Sequence, residues 1–137
     1  MEHATDLITI PRTLIIAEAG VNHNGNLGLA LKLCDAAKGA GADIVKFQTW
    51  KTEVLMVKNA PLADYQKQAG SSWDTQFAMA KSLELSQDDF MQIRQYCNDI
   101  GIRFLSTPDE EESLDFLVDH LEMELIKVGS AELTNLP

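Results

Sequence analysis

The sequence predicts an α/β fold in which a parallel sheet is covered by helices. Four short apolar runs, rich in β-branched or aromatic residues, alternate with segments of helical period. Parallel strands need long crossover connections, and helices between strands supply them. The chain has 137 residues, 45% of them hydrophobic. It is therefore long enough to bury a core as one domain.

Four strands are predicted from the apolar runs. They cover residues 14–17, 44–47, 102–105 and 125–128. The first predicted helix follows Gly25, where an apolar stripe runs over residues 27–37 until Gly39 and Gly41 end it.

Two further helices are predicted in the second half of the chain. Ser86 followed by Asp89 resembles a capping box, and apolar residues at helical spacing then continue to Gly101. Another helix is expected to start near Pro108, because the acidic run 109–112 suits a helix N-terminus. Its inward residues are predicted to be Leu114, Leu117 and Leu121.

The stretch 49–75 is long for a connection between a strand and a helix, and long ordered loops are often functional. Asp74 or Thr75 could cap a short helix within it, and that helix would run through Phe77 and Leu83.

Composition excludes several classes of partner. The net charge is -10, so the chain lacks the positive field that nucleic acid or anionic lipid requires. Cys34 and Cys97 lie in apolar helical patterns without CxxC spacing, and we interpret them as reduced core residues. The acidic N-terminus does not resemble a signal peptide, and no apolar run is long enough to span a membrane. We therefore expect a cytoplasmic protein.

Each apolar run carries polar residues at its C-terminal end, as in a parallel (β/α)8 barrel whose site lies at the carboxyl ends of its strands. They are Glu18, then Lys46 and Gln48, then Ser106 and Thr107, and finally Lys127 and Ser130. Such a barrel needs ~250 residues. The chain is therefore expected to form about half of one, with about four βα units over residues 1–137.

Two lysines inside apolar strands need a physical reason, because an unpaired buried charge costs several kcal/mol. One interpretation is a buried salt bridge of Lys46 or Lys127 with Glu18 or Glu132. The other is an anion site, in which both ammonium groups receive phosphate or carboxylate oxygens. Its hydroxyl donors would be Thr107 and Ser130.

The turn 19–25 is dense in Asn and Gly, and its glycine spacing matches neither a Walker A nor a dinucleotide motif. His23 in this turn could ligate a metal or move protons, but a lone loop histidine is more often structural. His3 and His120 lie near a chain end and a helix end, and neither is a good candidate.

Four stretches in order resemble the strand-end motifs of bacterial sialic acid synthases, a family that includes legionaminic and pseudaminic acid synthases. They are IAEAGVNHNG at 16–25, VKFQT at 45–49, FLSTP at 104–108 and IKVGSAE at 126–132. Each motif alone is weak, but four in the right order are specific. That the chain is the N-terminal half of the barrel is implied by the family that the order of its strand-end motifs resembles.

The resemblance implies a condensation of phosphoenolpyruvate with the aldehyde of an N-acetylated amino sugar, N-acetylmannosamine or a bacterial analogue. The products are a nine-carbon 2-keto acid and phosphate, and a divalent metal, Mn or Mg, holds the aldehyde. By resemblance, the residues that grip phosphoenolpyruvate are Lys46, Thr107, Lys127 and Ser130. Those that face the sugar and the reacting centre are Glu18, Gln48 and Glu132. Either of the two glutamates could assist proton transfer.

The chain departs from the family pattern in three respects. After Ser-Thr-Pro it has Asp109 and Glu110, where many members have Phe and then Asp. The loop 65–75 does not align well enough for its sugar contacts to be assigned. The family's metal-binding histidines and its C-terminal antifreeze-like domain lie beyond this sequence, so we assign no metal ligand and expect the fragment to be inactive alone. The resemblance also implies a homodimer.

Two alternatives stay open. Another phosphoenolpyruvate-condensing barrel, making an eight-carbon or seven-carbon keto acid phosphate, would need an extra phosphate site, for which the sequence shows no Arg or Lys cluster. A truncated half barrel could also persist as a non-catalytic oligomer or binding module.

Overall fold

The computed structural model describes residues 13–62 and 73–134. Its strands and helices, in chain order, are β1 Ile16–Gly20, α1 Leu27–Gly39, β2 Ile44–Thr49, α2 Thr52–Leu55, α3 Gln76–Leu83, α4 Gln87–Ile100, β3 Arg103–Pro108 and α5 Glu111–Asp115. A π-helical turn, Phe116–His120, continues α5, and a 3-10 turn covers Ser130–Thr134. The N-terminal residues 1–12 and the loop residues 63–72 lie outside the described residues.

The three strands form one parallel sheet in the order β1-β2-β3. Glu18 lies opposite Lys46, and Gln48 lies opposite Thr107. The register of β1 shifts between Glu18 and Gly20. Consecutive strands are thus neighbours without a reversal of order, as in a barrel rather than in a doubly wound sheet.

The predicted strand bounds need correction. β1 begins two residues later than predicted and extends to Gly20, and β3 covers Arg103–Pro108. The fourth predicted strand is wrong, since residues 125–128 form no strand and Val128 is 60% exposed. Among the described residues, the sheet contains only β1, β2 and β3, and this segment forms no ladder with any of them. Strand propensity alone does not make a strand without hydrogen bonds to a neighbouring strand.

The two best-defined helices are confirmed, including their ends. Asn26 caps α1 by accepting a hydrogen bond from the Leu29 backbone N–H at 2.9 Å. Ser86 and Asp89 form a reciprocal capping box at the start of α4, and Gly101 ends that helix with φ +72°. Thr75, one of the two predicted caps, caps α3.

The helix after β3 starts later than predicted. Pro108 belongs to β3, and the Asp109 backbone N–H donates to the Thr49 carbonyl at 3.0 Å, which continues the strand pairing. Glu110 is the actual N-cap and accepts from the Ser113 backbone N–H at 3.1 Å. Of the predicted inward residues, Leu117 and Leu121 are buried, whereas Leu114 is 38% exposed and that prediction is wrong.

The core lies between one face of the sheet and the helices α1 and α4. Its fully buried side chains include Phe47, Phe90, Ile44, Ile93, Leu117, Cys34 and Cys97. Both cysteines are free, and the Cys97 thiol donates to Cys34 with the sulfurs 3.6 Å apart. Their predicted place in the core is confirmed.

The turn between β1 and α1 is packed against the end of α3. Gly25 adopts φ +67°, and a Cβ at this position would overlap the backbone carbonyl of Ser82. Only glycine tolerates both the left-handed backbone and this close approach. The turn and α3 are therefore in direct backbone contact.

No helix within residues 13–62 or 73–134 is both long enough and apolar enough to cross a bilayer.

Candidate functional site

A cleft with a volume of about 520 Å³ lies at the carboxyl ends of the three strands. All seven residues predicted to bind or react with substrate line it, namely Glu18, Lys46, Gln48, Thr107, Lys127, Ser130 and Glu132. The structure therefore brings the predicted set together, while the role of each residue stays a prediction.

Strand geometry explains why the side chains of three strands meet there. Successive residues of a strand point to opposite faces of a sheet. Lys46 and Gln48 therefore share one face of β2, and the parallel register places Glu18 and Thr107 beside them on the same face. Phe47, on the opposite face, is fully buried in the helix-covered core.

The cleft is completed by residues that follow the π-helical turn. Lys127 comes from the segment that was predicted as a fourth strand, Gly129 follows that segment, and Ser130 and Glu132 come from the 3-10 turn. A Cβ at Gly129 would lie 3.6 Å from Thr107 Cγ2, so this segment sits directly beside the end of β3. The site residues reach the cleft although the segment is not a strand.

Lys46 forms an ion pair with Glu18, and its side chain is only 14% exposed. The salt-bridge interpretation is thus correct for this lysine. The pair nevertheless borders the open cleft, since both residues line it. Lys46 is therefore held in place by a carboxylate without being closed off from a ligand.

Thr107 carries a buried hydroxyl without a hydrogen-bond partner in the described part of the chain. The residue is 3% exposed, its Oγ1 is buried, and Thr107 is one of the residues that line the cleft. Its neighbour Ser106 is equally buried, but the Ser106 hydroxyl hydrogen-bonds the Thr49 hydroxyl at 2.7 Å. A buried donor without a partner costs about 1–3 kcal/mol. The Thr107 hydroxyl is therefore a candidate hydrogen-bonding group of the site, as predicted.

Asp109 also lines the cleft, and the sequence analysis did not assign it to the site. Burial, reinforced by the negative charge of Glu132, raises the pKa of Asp109 to about 6, against the opposing effect of Lys127. The available signal was its position directly after a strand. This signal is hidden because Asp109 also begins the acidic run 109–112, which is typical of a helix start.

His23 is fully buried and is not among the described residues that line the cleft. Its Nδ1 accepts a hydrogen bond from the Gly25 backbone N–H at 3.1 Å, and its ring lies 6.1 Å from that of Phe47. Burial lowers the pKa of His23, with the Gly20 carbonyl opposing this shift. The His23 Nε2 atom has no hydrogen-bond partner among the described residues, but the ring lies outside the cleft, so these contacts favour the structural role.

The described residues do not by themselves fit a metal centre. Within 13–62 and 73–134, no three side chains of His, Cys, Asp or Glu are grouped so that they could hold an ion. No metal ligand is therefore assigned in this part of the chain.

Comparison with known proteins identifies the family. Residues 33–137 match the family model described as the NeuB family. The chain belongs to the NeuB family. Two N,N'-diacetyllegionaminic acid synthases are similar to it, from Legionella pneumophila at 49% identity over 123 residues and from Campylobacter jejuni at 43% over 126 residues. They match 90% and 92% of this chain respectively.

A solved structure supports the same assignment at the level of the fold. The N-acetylneuraminic acid synthetase of Leptospira borgpetersenii, crystallised with citrate, superposes with a TM-score of 0.71 at 29% identity over 90% of this chain. The predicted fold class, a partial (β/α)8 barrel, is thereby confirmed. The chain spans about a third of its curated NeuB relatives, 34% of the Legionella protein and 37% of the Campylobacter protein.

Proposed function

We propose that this NeuB chain supplies the phosphoenolpyruvate-binding part of a sialic-acid-type synthase. The reaction is the condensation of phosphoenolpyruvate with an N-acetylated amino-sugar aldehyde, giving a nine-carbon 2-keto acid and phosphate. Both quoted curated relatives are named as synthases of N,N'-diacetyllegionaminic acid, which favours a diacetylated bacterial sugar over N-acetylmannosamine. The enzyme is accordingly a transferase that forms a carbon–carbon bond.

The observation that carries this proposal is the combination of donors in the cleft. Lys46 and Lys127 provide two ammonium groups, and Thr107 provides a buried hydroxyl that has no partner within residues 13–62 and 73–134. Fixed cations and hydroxyl donors are what a phosphate or carboxylate group requires. A volume of about 520 Å³ also falls within the usual size of small-molecule sites.

In this proposal the lysines and hydroxyls hold the carboxylate and phosphate, while the amide and carboxylates face the sugar. Gln48 lies beside Thr107 in the sheet and can therefore contact a second substrate next to the bound anion. Glu18 or Glu132 assists proton transfer at the reacting centre. Holding both reactants in one cleft lowers the entropic part of the barrier.

The complete enzyme is proposed to use Mn or Mg, to form a homodimer and to reside in the cytoplasm. The metal would polarise the aldehyde. Since the described residues do not form a ligand cluster, its binding is not assigned to this chain.

Isothermal titration calorimetry of the 137-residue chain with phosphoenolpyruvate tests the proposal. We expect saturable binding that Lys46→Met and Thr107→Val both weaken. Lys38→Met is the matched control, because Lys38 donates to the Gly101 carbonyl at the opposite end of the sheet. Circular dichroism should show the same helix content in all four proteins. Binding that none of the cleft variants changes would contradict the proposal.

Turnover assays then test the substrate. Phosphoenolpyruvate, manganese and each candidate sugar are mixed with the chain, and keto acid and phosphate are measured. Product from the chain alone would contradict its expected inactivity as a fragment. Preference for arabinose 5-phosphate or erythrose 4-phosphate over unphosphorylated amino sugars would instead favour an eight-carbon or seven-carbon synthase.

A further inference from the structure

The charged residues that line the cleft do not give it the net positive charge that would favour an anionic ligand. Among the described residues that line it, two are lysines, and three carry carboxyl groups: Glu18, Asp109 and Glu132. With every carboxyl ionised, the lining would carry a net charge of about -1, since two positive and three negative charges are present. A lining with this net negative charge would repel phosphoenolpyruvate, which itself carries up to three negative charges.

Glu18 is engaged, because its carboxylate forms the ion pair with Lys46. It lies on β1, at the far side of the cleft from the segment that follows β3. The carboxyl groups of Asp109 and Glu132 lie together on the other side of the cleft, next to the segment that follows β3. A Cβ at Gly129 would be 3.7 Å from Asp109 Oδ1 and 3.8 Å from Glu132 Cγ, so the two side chains flank the same glycine.

We propose that Asp109 binds the proton that lets this cleft accept an anionic enol phosphate, so that ligand binding and proton uptake at Asp109 are coupled. This inference rests on the proposed function and adds a binding residue to it. Protonation of Asp109 converts the charge of the lining from about -1 to neutral and turns an acceptor into an O–H donor toward the ligand.

The surroundings of Asp109 favour this role over the other carboxyl groups. Its backbone is fixed by the hydrogen bond to the Thr49 carbonyl, which keeps the side chain at the cleft wall. The charged groups that act on it from neighbouring elements are Lys46 on β2, Glu110 at the start of α5, Lys127 and Glu132. Burial already raises the pKa of Asp109 to about 6, which is close enough to pH 7 for a bound anion to change the protonation state of the group.

The expected size of the coupling follows from electrostatics. A carboxyl group with a pKa of about 6 is roughly one-tenth protonated at pH 7. An additional anion near the group raises its pKa by about one unit or more. Binding at pH 7 should therefore take up roughly half a proton or more at Asp109.

Calorimetry of phosphoenolpyruvate binding in buffers of different ionisation enthalpy measures this uptake directly. The ligand's own phosphate titrates in the same range, so the informative quantity is the difference between wild type and Asp109→Asn. We expect the variant to lose roughly half a proton of uptake at pH 7. We also expect the wild-type affinity to fall about fivefold more than that of the variant between pH 6 and pH 8, which is what a one-unit rise of the Asp109 pKa gives over this range.

Two further variants keep the test decisive. Asp109→Glu retains a carboxyl group and should retain the uptake, and Asp115→Asn removes an exposed acid of α5 and should change nothing. If Asp109→Asn failed to fold, a carbon-13 NMR titration of the Asp109 carboxyl in wild type, with and without phosphoenolpyruvate, would give the same answer. The ligand should raise that titration midpoint by about one unit.

The failures of the two proposals are distinguishable. Binding of phosphoenolpyruvate with equal proton uptake in wild type and Asp109→Asn, or an Asp109 midpoint that the ligand does not move, would overturn the role of Asp109 alone. Absence of any binding by wild type would overturn the proposed function itself.

Discussion

The two faces of the β1-β2-β3 sheet are built from the same three strands but differ in how their buried hydroxyl groups are hydrogen-bonded. On the helix-covered face, the Ser106 hydroxyl is satisfied by Thr49 and the surrounding side chains are apolar. On the open face, the adjacent Thr107 hydroxyl is equally buried and has no partner among the described residues. The comparison teaches that neighbouring, chemically similar residues can be paired within the protein on one face and left for the proposed ligand on the other.

The largest expected effect is on the covered face. Phe47→Ala should lower the free energy of unfolding by about 3–5 kcal/mol, because it empties a fully buried site. Gln48→Ala, one residue later on the open face, should change it by less than about 1 kcal/mol. Urea unfolding followed by circular dichroism measures both. Equal losses for the two variants would mean that the faces do not differ as described.

The second expected effect concerns the open face alone. Lys127→Ala should weaken phosphoenolpyruvate binding by about 10- to 100-fold, because a hydrogen bond to a charged group contributes about 1.5–3 kcal/mol. The Lys127 residue is exposed, so the free energy of unfolding should hardly change. Titration calorimetry at constant salt measures the affinity. Unchanged affinity would remove Lys127 from the site.

The adjacent hydroxyls allow a crossed test with smaller effects. Ser106→Ala leaves the Thr49 hydroxyl without its partner, and it should destabilise the chain by about 1–2 kcal/mol without changing ligand affinity. Thr107→Val should keep or slightly raise stability, because it removes a polar atom that lacks a partner, and should weaken phosphoenolpyruvate binding. Destabilisation by Thr107→Val would indicate that its hydroxyl is structural.

The smallest expected effect is a pH dependence of stability from the open face. The pKa of Asp109 is raised in the folded chain from 3.8 to about 6, so the stability from this group is present below pH 4 and is lost as the pH rises through 6. Partial exposure limits the change to the order of 1 kcal/mol. The unfolding free energy of Asp109→Asn should therefore fall less than that of wild type between pH 4 and pH 7.5. Parallel pH curves would contradict the raised pKa.

Much of the difference between the two faces of the sheet could be predicted from sequence, because strand alternation and helix caps are local properties. The capping box at Ser86 and the alternation of Lys46 and Phe47 identify a helix start and two faces without tertiary information. The order of four strand-end motifs also predicted which seven side chains share the cleft.

The remaining features depend on neighbours that local patterns do not reveal. Residues 125–128 have strand propensity, but a strand also needs hydrogen bonds to a neighbouring strand, and this segment pairs with none of the described strands. Asp109 looked like part of a helix start until its backbone hydrogen bond to Thr49 placed it at the strand end. Its raised pKa arises from burial and from Glu132, which is distant in sequence.

Gly25, in the turn between β1 and α1, connects the rim of the cleft with α3, although the turn and α3 are far apart in the sequence. Val21 and Asn22, in the same turn as Gly25, form the β1 rim of the cleft, and Gly25 rests against the last residues of α3. A methyl group at position 25 would push α3 away from that rim. Substitutions that displace the last residues of α3 are therefore expected to move this turn as well, because the two backbones are in contact.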